Sequence, residues 1–161
     1  MNYEINSNTL LIIPTDNGKS KAIEKKNEYV VEESTFNVIE HSCEYFGSSY
    51  EGRHIGTKKL IKAKYKTPIV IEESQNLIFF PTMSPESADC MWVSLKNIRN
   101  YRNSENKAYS IIDFNNGDSI EVNISFGSLQ NQILRATRLN NVILERKTAV
   151  TGKSDDNNLF S

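Results

Sequence analysis

The stretch that decides how the halves of the fold connect reads Ser42-Cys43-Glu44-Tyr45-Phe46-Gly47-Ser48-Ser49-Tyr50-Glu51-Gly52-Arg53-His54-Ile55-Gly56-Thr57. Its three glycines supply backbone conformations that other residues rarely adopt, and its hydroxyl side chains bond readily to backbone groups or phosphate oxygens. This composition predicts a shaped loop that contacts a ligand. A helix that ends at Gly47, followed by a tight connection, explains the same local chemistry.

The segment that begins in this stretch has the most uneven charge in the chain. From Gly52 to Ile71 there are six basic residues and no acidic one, whereas Met1 to Glu51 carries nine acidic residues and four lysines. Such a local basic field indicates an anionic partner more clearly than the net charge of -1 does. The six basic side chains are Arg53, Lys58, Lys59, Lys62, Lys64 and Lys66.

Alternation within this basic segment predicts a half-buried strand from Lys58 to Lys66. Ile61, Ala63 and Tyr65 are expected to face one side, and most of the lysines to face the other. A solvated edge strand explains the pattern equally well, because lysine on an edge discourages pairing with other chains. The pattern alone therefore leaves a binding face and a guarded edge open.

The rest of the chain predicts one α+β domain over residues 1–147, mainly antiparallel β-sheet. A helix is expected at about 34–46, capped by Ser34 or Thr35, and an amphipathic helix at about 127–144. Asn-Gly at 116–117 is a strong hairpin signal. Residues 148–161 are predicted to be a disordered tail. Apolar runs predict strands at 9–14, 29–31, 68–72, 77–81, 90–95, 109–114 and 119–124.

Several function classes find little support in the sequence. The two cysteines are expected to be buried free thiols, and a zinc site built from them and the two histidines matches no standard ligand spacing. There is no nucleophile–base motif, Walker loop or dinucleotide fingerprint, so neither catalysis nor a cofactor is predicted. No signal peptide is recognisable and no apolar run reaches about eighteen residues, which predicts a cytoplasmic protein without a membrane partner.

The order of motifs along residues 35 to 140 resembles the ComK family of bacterial competence transcription factors. The motifs are the stretch from Ser42 to Arg53 with Gly56-Thr57, then Pro68-Ile69-Val70-Ile71, Phe79-Phe80-Pro81-Thr82, Cys90-Met91-Trp92-Val93-Ser94, Ser125-Phe126-Gly127-Ser128-Leu129 and Asn131-Gln132-Ile133-Leu134-Arg135-Ala136. Several motifs in one order are a more specific signal than any one of them.

This resemblance implies a DNA-binding activator of the genes for DNA uptake. It implies recognition of AT-rich promoter boxes in double-stranded DNA, chiefly from the minor groove, by a homo-oligomer associated with the nucleoid. RNA polymerase and an adaptor–protease system are further implied partners. A protein-interaction module, with a basic face but no specific DNA binding, is the alternative that the residues leave open.

The resemblance and the charge pattern together suggest a division of roles among twelve residues. Arg53 is the first candidate for insertion into an AT-rich minor groove, because the narrow groove attracts arginine. Hydroxyl groups would fix register on the DNA backbone, lysines would contact phosphates, and the polar side of the last helix would supply further contacts. These groups are, in turn, Ser48, Ser49 and Tyr50; Lys58, Lys59, Lys62, Lys64 and Lys66; and Asn131, Arg135 and Arg138.

Overall fold

Nine strands and three α-helices form the fold, which a computed structural model describes for residues 2–159, with side chains described for residues 2–149. The strands are β1 (Thr9–Pro14), β2 (Ser20–Glu24), β3 (Glu28–Val31), β4 (Ile69–Glu72), β5 (Leu77–Pro81), β6 (Trp92–Ser94), β7 (Ile98–Asn103), β8 (Ser110–Phe114) and β9 (Ser119–Val122). The helices are α1 (Thr35–Tyr45), α2 (Tyr50–Ile61) and α3 (Phe126–Leu159).

The strands form two antiparallel sheets. Six strands pair in the order β3-β2-β1-β6-β5-β4, and three pair in the order β7-β8-β9. The larger sheet is buried on both faces because successive side chains of its apolar strands point to opposite sides. One face buries Leu11, Val70, Ile78, Phe80 and Val93, and the other buries Ile12, Ile69, Phe79 and Trp92.

Different elements cover the two faces of the larger sheet. Val38, Ile39 and Cys43 of α1 complete a core with the face that buries Ile12, Ile69, Phe79 and Trp92. The small sheet and α3 complete the core on the opposite face, to which α3 contributes Leu129 and Leu139. The prediction of an antiparallel α+β fold with an early and a C-terminal helix is therefore confirmed.

Helix α1 begins and ends at the residues that the sequence indicates. The Ser34 side chain accepts a hydrogen bond from the Asn37 N–H at 3.1 Å, which caps the first turn. Gly47 has φ of 82° and follows the last turn in the left-handed conformation that glycine tolerates best. The predicted helix at 34–46 and its end at Gly47 are confirmed.

Replacing Gly47 by Ala should lower the free energy of unfolding by about 1–2 kcal/mol, because a Cβ strains a left-handed residue. No other atom lies within 4 Å of that Cβ, so the strain is the whole effect. Gly56 is the matched control, since it lies inside α2 with open space around it, and Gly56→Ala should raise stability by about 0.5–1 kcal/mol. Urea unfolding measures both changes; shifts of the same sign would contradict this account.

The predicted strand from Lys58 to Lys66 is wrong, as is the purely loop-like structure expected after Ser49. Residues 50–61 form α2, and the Ser49 hydroxyl caps it by accepting from the Gly52 N–H at 3.0 Å. The inward positions of α2 follow helical spacing, although few of them are apolar. Ile61 and Ala63 are both buried, as an alternating pattern requires, but one ends the helix and the other lies in a loop.

Most other elements agree with the pattern of the sequence, with differences at two strands and at the last helix. The strands expected at 9–14, 29–31, 68–72, 77–81, 90–95, 109–114 and 119–124 correspond to β1, β3, β4, β5, β6, β8 and β9. The sequence pattern does not predict strands β2 and β7, because each contains few apolar residues. Helix α3 extends beyond the predicted end at 144, and the tail predicted at 148–161 falls almost entirely on residues whose side chains lie outside the described ones.

Candidate nucleic-acid interface

Five lysines meet where α2 ends and the chain turns towards β4. We call them the basic surface: Lys58 and Lys59 on the last turn of α2, and Lys62, Lys64 and Lys66 in the connection. All five are exposed, and none forms an ion pair with a residue whose side chain is described. The negative end of the helix dipole stabilises the two helical lysines. The basic surface is therefore free to contact an anion.

The connection at 62–67, which we call the lysine loop, is held by α3. The Gln132 side-chain amide donates to the Lys66 and Pro81 carbonyl oxygens at 2.8 Å each. The Arg135 guanidinium donates to the Tyr65 carbonyl oxygen at 3.0 Å and to the Gln132 side-chain oxygen at 3.1 Å. The backbone of the loop is thus fixed while its lysine side chains stay in solvent.

Two residues of the lysine loop have a strained backbone. Lys62 has φ of 55° and Lys66 has φ of 49°, both in the left-handed region. This conformation costs a residue with a Cβ roughly 1–2 kcal/mol, and such residues are concentrated at functional sites. The bonds from α3 stabilise this conformation.

Arg53, the predicted minor-groove residue, lies on α2 with most of its side chain covered. Its Nη1 atom is 3.4 Å from the Glu73 carboxylate in the turn between β4 and β5, and its side chain is 25% exposed. Its Nε atom is buried and has no hydrogen-bond partner among the described residues. In the free protein the ion pair with Glu73 therefore holds Arg53 against the β4–β5 turn. Breaking this one ion pair would free the guanidinium group.

The residues predicted to fix register lie at the opposite end of α2 from its lysines. Ser49 is exposed and caps the helix, and Ser48 is half-buried beside it. Tyr50 is packed among aromatic rings, 4.9 Å from Phe36 and 6.4 Å from Trp92 between ring centroids. Burial raises the pKa of Tyr50 to about 12, so its hydroxyl stays protonated.

Helix α3 separates its three predicted contact residues into two groups. Asn131 and Arg138 are exposed, whereas Arg135 is half-buried and bound to the lysine loop. Leu134, which is 62% exposed, lies on the exposed side of the helix with Asn131 and Arg138. Arg135 therefore supports the lysine loop, whereas the side chains of Asn131 and Arg138 are exposed to solvent on α3.

Sequence reasoning missed two features of this region. Gln132 is only 3% exposed, and its place between Leu129 and Ala136 in the apolar stripe of α3 is the signal that marks it as a buried polar anchor. Strand β7 carries exposed Arg99 and Arg102, although the Asp113 carboxylate binds Arg102 at 3.2 Å.

The described residues hold no group of histidine, cysteine and carboxylate side chains that could bind a metal ion. Cys43 and Cys90 are free and buried, as predicted, and burial raises the pKa of each thiol to about 11. Thiols of this kind react poorly near neutral pH. No helix within the described part of the chain has the length and apolar character needed to cross a membrane.

Comparison with known proteins gives a consistent family assignment. The family model described as ComK protein matches residues 1–148. A competence transcription factor of Bacillus subtilis (strain 168) is 33% identical over 147 residues, which cover 89% of this chain and 76% of that protein. No solved structure matches significantly. The matched region contains both sheets, the basic surface and the described side chains of α3 up to residue 148, and the chain belongs to the ComK family.

Proposed function

We propose that this protein is a DNA-binding transcription activator of competence genes that recognises AT-rich promoter boxes mainly through the minor groove. The observation that carries the proposal is the basic surface, whose five lysines are exposed, unpaired among the described side chains and set on a backbone fixed by Gln132 and Arg135. The similarity to a competence transcription factor supports the same role. The proposal includes no catalytic step.

The proposed contacts divide along α2. Its twelve residues span about 18 Å, so Ser48, Ser49 and Tyr50 at one end and the basic surface at the other would meet different phosphates. Arg53 lies between these ends and would leave Glu73 to enter an AT-rich groove, where the negative potential is strongest. Breaking an exposed ion pair of this kind costs about 0–1 kcal/mol, which groove insertion can offset.

We further propose that the protein acts at the nucleoid as a homo-oligomer, with RNA polymerase and an adaptor–protease system as partners. Paired boxes on DNA suit a protein with two-fold symmetry. Sedimentation of the protein with a duplex that carries paired AT boxes tests the oligomer directly. A single copy on such a duplex would contradict it.

Fluorescence-anisotropy titrations with a paired-AT-box duplex and a GC-rich duplex, each at several salt concentrations, test the function. If the five lysines all contact phosphates, log K should fall with log salt with a slope of about 4.5. Tighter, cooperative binding to the AT-rich duplex supports the proposal. No shift of either duplex at moderate salt would favour instead a protein-interaction module whose basic surface binds an acidic protein.

Replacing Lys62 by Ala should weaken binding to both duplexes alike, by about two- to fivefold, and lower the salt slope by about one, because a phosphate contact has no sequence information. Lys26→Ala is the matched control. Lys26 is exposed in the β2–β3 turn, at the edge of the larger sheet opposite β4 and about 24 Å across its strands. A changed preference between duplexes, or an equal loss in the control, would contradict the phosphate role of Lys62.

A further inference from the structure

A groove of about 600 Å³ lies beside the basic surface, between α1, α2, the lysine loop and the loop that joins β5 to β6. Its walls carry aromatic rings from Tyr50, His54 and Tyr65. The rings of Tyr50 and His54 are stacked, with centroids 5.5 Å apart and planes 11° apart, while Tyr65 is 77% exposed. The groove thus has the size of a small-molecule site and planar rings to pack against one.

Charged and polar groups complete the groove. Lys64 and Lys66 of the lysine loop and Glu86 of the β5–β6 loop line it. Burial, together with the nearby Lys58 charge, lowers the pKa of His54, so its ring is neutral at pH 7. The fixed charges are therefore two cations and one carboxylate.

Two buried polar atoms at this groove have no hydrogen-bond partner within the described part of the chain. Thr67 lines the groove, is 1% exposed, and its hydroxyl makes no hydrogen bond with any described residue. The Nδ1 atom of His54 is also buried and neither accepts nor donates a hydrogen bond among residues 2–149. Buried polar groups are nearly always hydrogen-bonded, so an unpaired hydroxyl in the wall of a groove points to a ligand that satisfies it.

We propose that this groove binds a free nucleotide, which goes beyond the recognition of duplex DNA. The base packs against the aromatic rings, the phosphates bind Lys64 and Lys66, and the Thr67 hydroxyl donates to a phosphate oxygen. Glu86 accepts from N–H groups of the base or from ribose hydroxyls. An acidic peptide without an aromatic side chain leaves the rings uncovered, and an inorganic anion leaves most of the groove empty.

Calorimetric titration of the full chain with ATP, GTP, adenosine and tripolyphosphate tests the need for both parts of the ligand. ATP or GTP should bind at least tenfold more tightly than adenosine or tripolyphosphate, because neither of the latter fills both the aromatic and the cationic parts. Equal binding of tripolyphosphate and ATP would overturn the proposal and leave a simple cation cluster. Binding only of short single-stranded oligonucleotides would also overturn it, since the nucleotide would then come from DNA.

Substitutions at Thr67 connect the titration to the groove. Thr67→Val should weaken nucleotide binding by about three- to tenfold without lowering the melting temperature, because the hydroxyl it removes is unpaired in the free protein. Thr67→Ser keeps the hydroxyl and should keep the affinity, and Glu86→Gln should weaken binding by a few-fold. Unchanged ATP affinity in both Thr67→Val and Glu86→Gln would overturn the site. Each of these variants should bind the duplexes as the parent protein does. The proposal of a nucleotide site and the proposal of promoter binding can therefore be contradicted separately.

Discussion

Replacing Gln132 by Ala is expected to lower the free energy of unfolding by about 2–4 kcal/mol, because a buried carbonyl oxygen of Pro81 and a partly buried one of Lys66 lose their donor. Both bonds are 2.8 Å long, to Lys66 and Pro81, and the same side chain accepts from Arg135 at 3.1 Å. The change therefore removes one hydrogen bond from α3 to the lysine loop and one to strand β5, and leaves the bond from Arg135 to the Tyr65 carbonyl oxygen. Urea unfolding gives the loss of stability, and anisotropy with the AT-rich duplex gives the loss of binding.

Two control variants separate the hydrogen bonds from the packing of Gln132. Gln130→Ala, on an exposed position of the same helix, should change stability by less than about 0.5 kcal/mol. Gln132→Met keeps most of the side-chain volume and removes only the polar group, so it should fall between the other two in stability. If Gln132→Ala and Gln130→Ala unfold at the same urea concentration, the Gln132 hydrogen bonds do not stabilise the fold.

This anchor also shows what the sequence can and cannot predict. The helix at 34–46 and most of the strands follow from short-range signals: a cap at Ser34, a glycine stop at 47, and apolar runs long enough to be buried. The pairing of Gln132 with the carbonyl of Lys66 spans 66 residues, and no local pattern reports it. The position of Gln132 within the apolar stripe of α3 indicates only that its side chain has a hydrogen-bond partner, and not which one.

The sequence pattern predicts a loop and a strand where the structure has helix α2, and two local features explain the difference. Gly52 and Gly56 lower its helix propensity, and the lysines from 58 onwards mimic the alternation of a strand. Tertiary packing decides the outcome, because Ser49 caps the helix, the partly buried Tyr50 packs against one core and Ile61 is buried in the other. The sequence locates the five lysines of the basic surface within a short segment but does not predict their backbone, and Arg53 lies apart from them against Glu73.

Arg53→Met is expected to weaken binding to the paired AT-box duplex by about tenfold, or about 1.4 kcal/mol, and to affect the GC-rich duplex much less. Methionine is chosen because the Arg53 side chain is three-quarters covered, so truncation to Ala would also remove packing and lower stability. Thermal unfolding of the Met variant should therefore stay within a few degrees of the parent. Anisotropy with both duplexes measures the effect.

The partner of Arg53 provides the complementary test. Glu73→Gln removes the carboxylate 3.4 Å from the guanidinium and should raise affinity for the AT-rich duplex by about two- to fivefold, because the arginine no longer has to leave an ion pair and one repulsive charge is lost. Arg102→Met is the matched control, since Arg102 has a single carboxylate partner, Asp113, on the small sheet. Equal losses in Arg53→Met and Arg102→Met would mean that the duplex senses only total charge. If Glu73→Gln weakened binding instead, the ion pair would be part of the DNA-binding conformation and Arg53 would support α2 from within the fold.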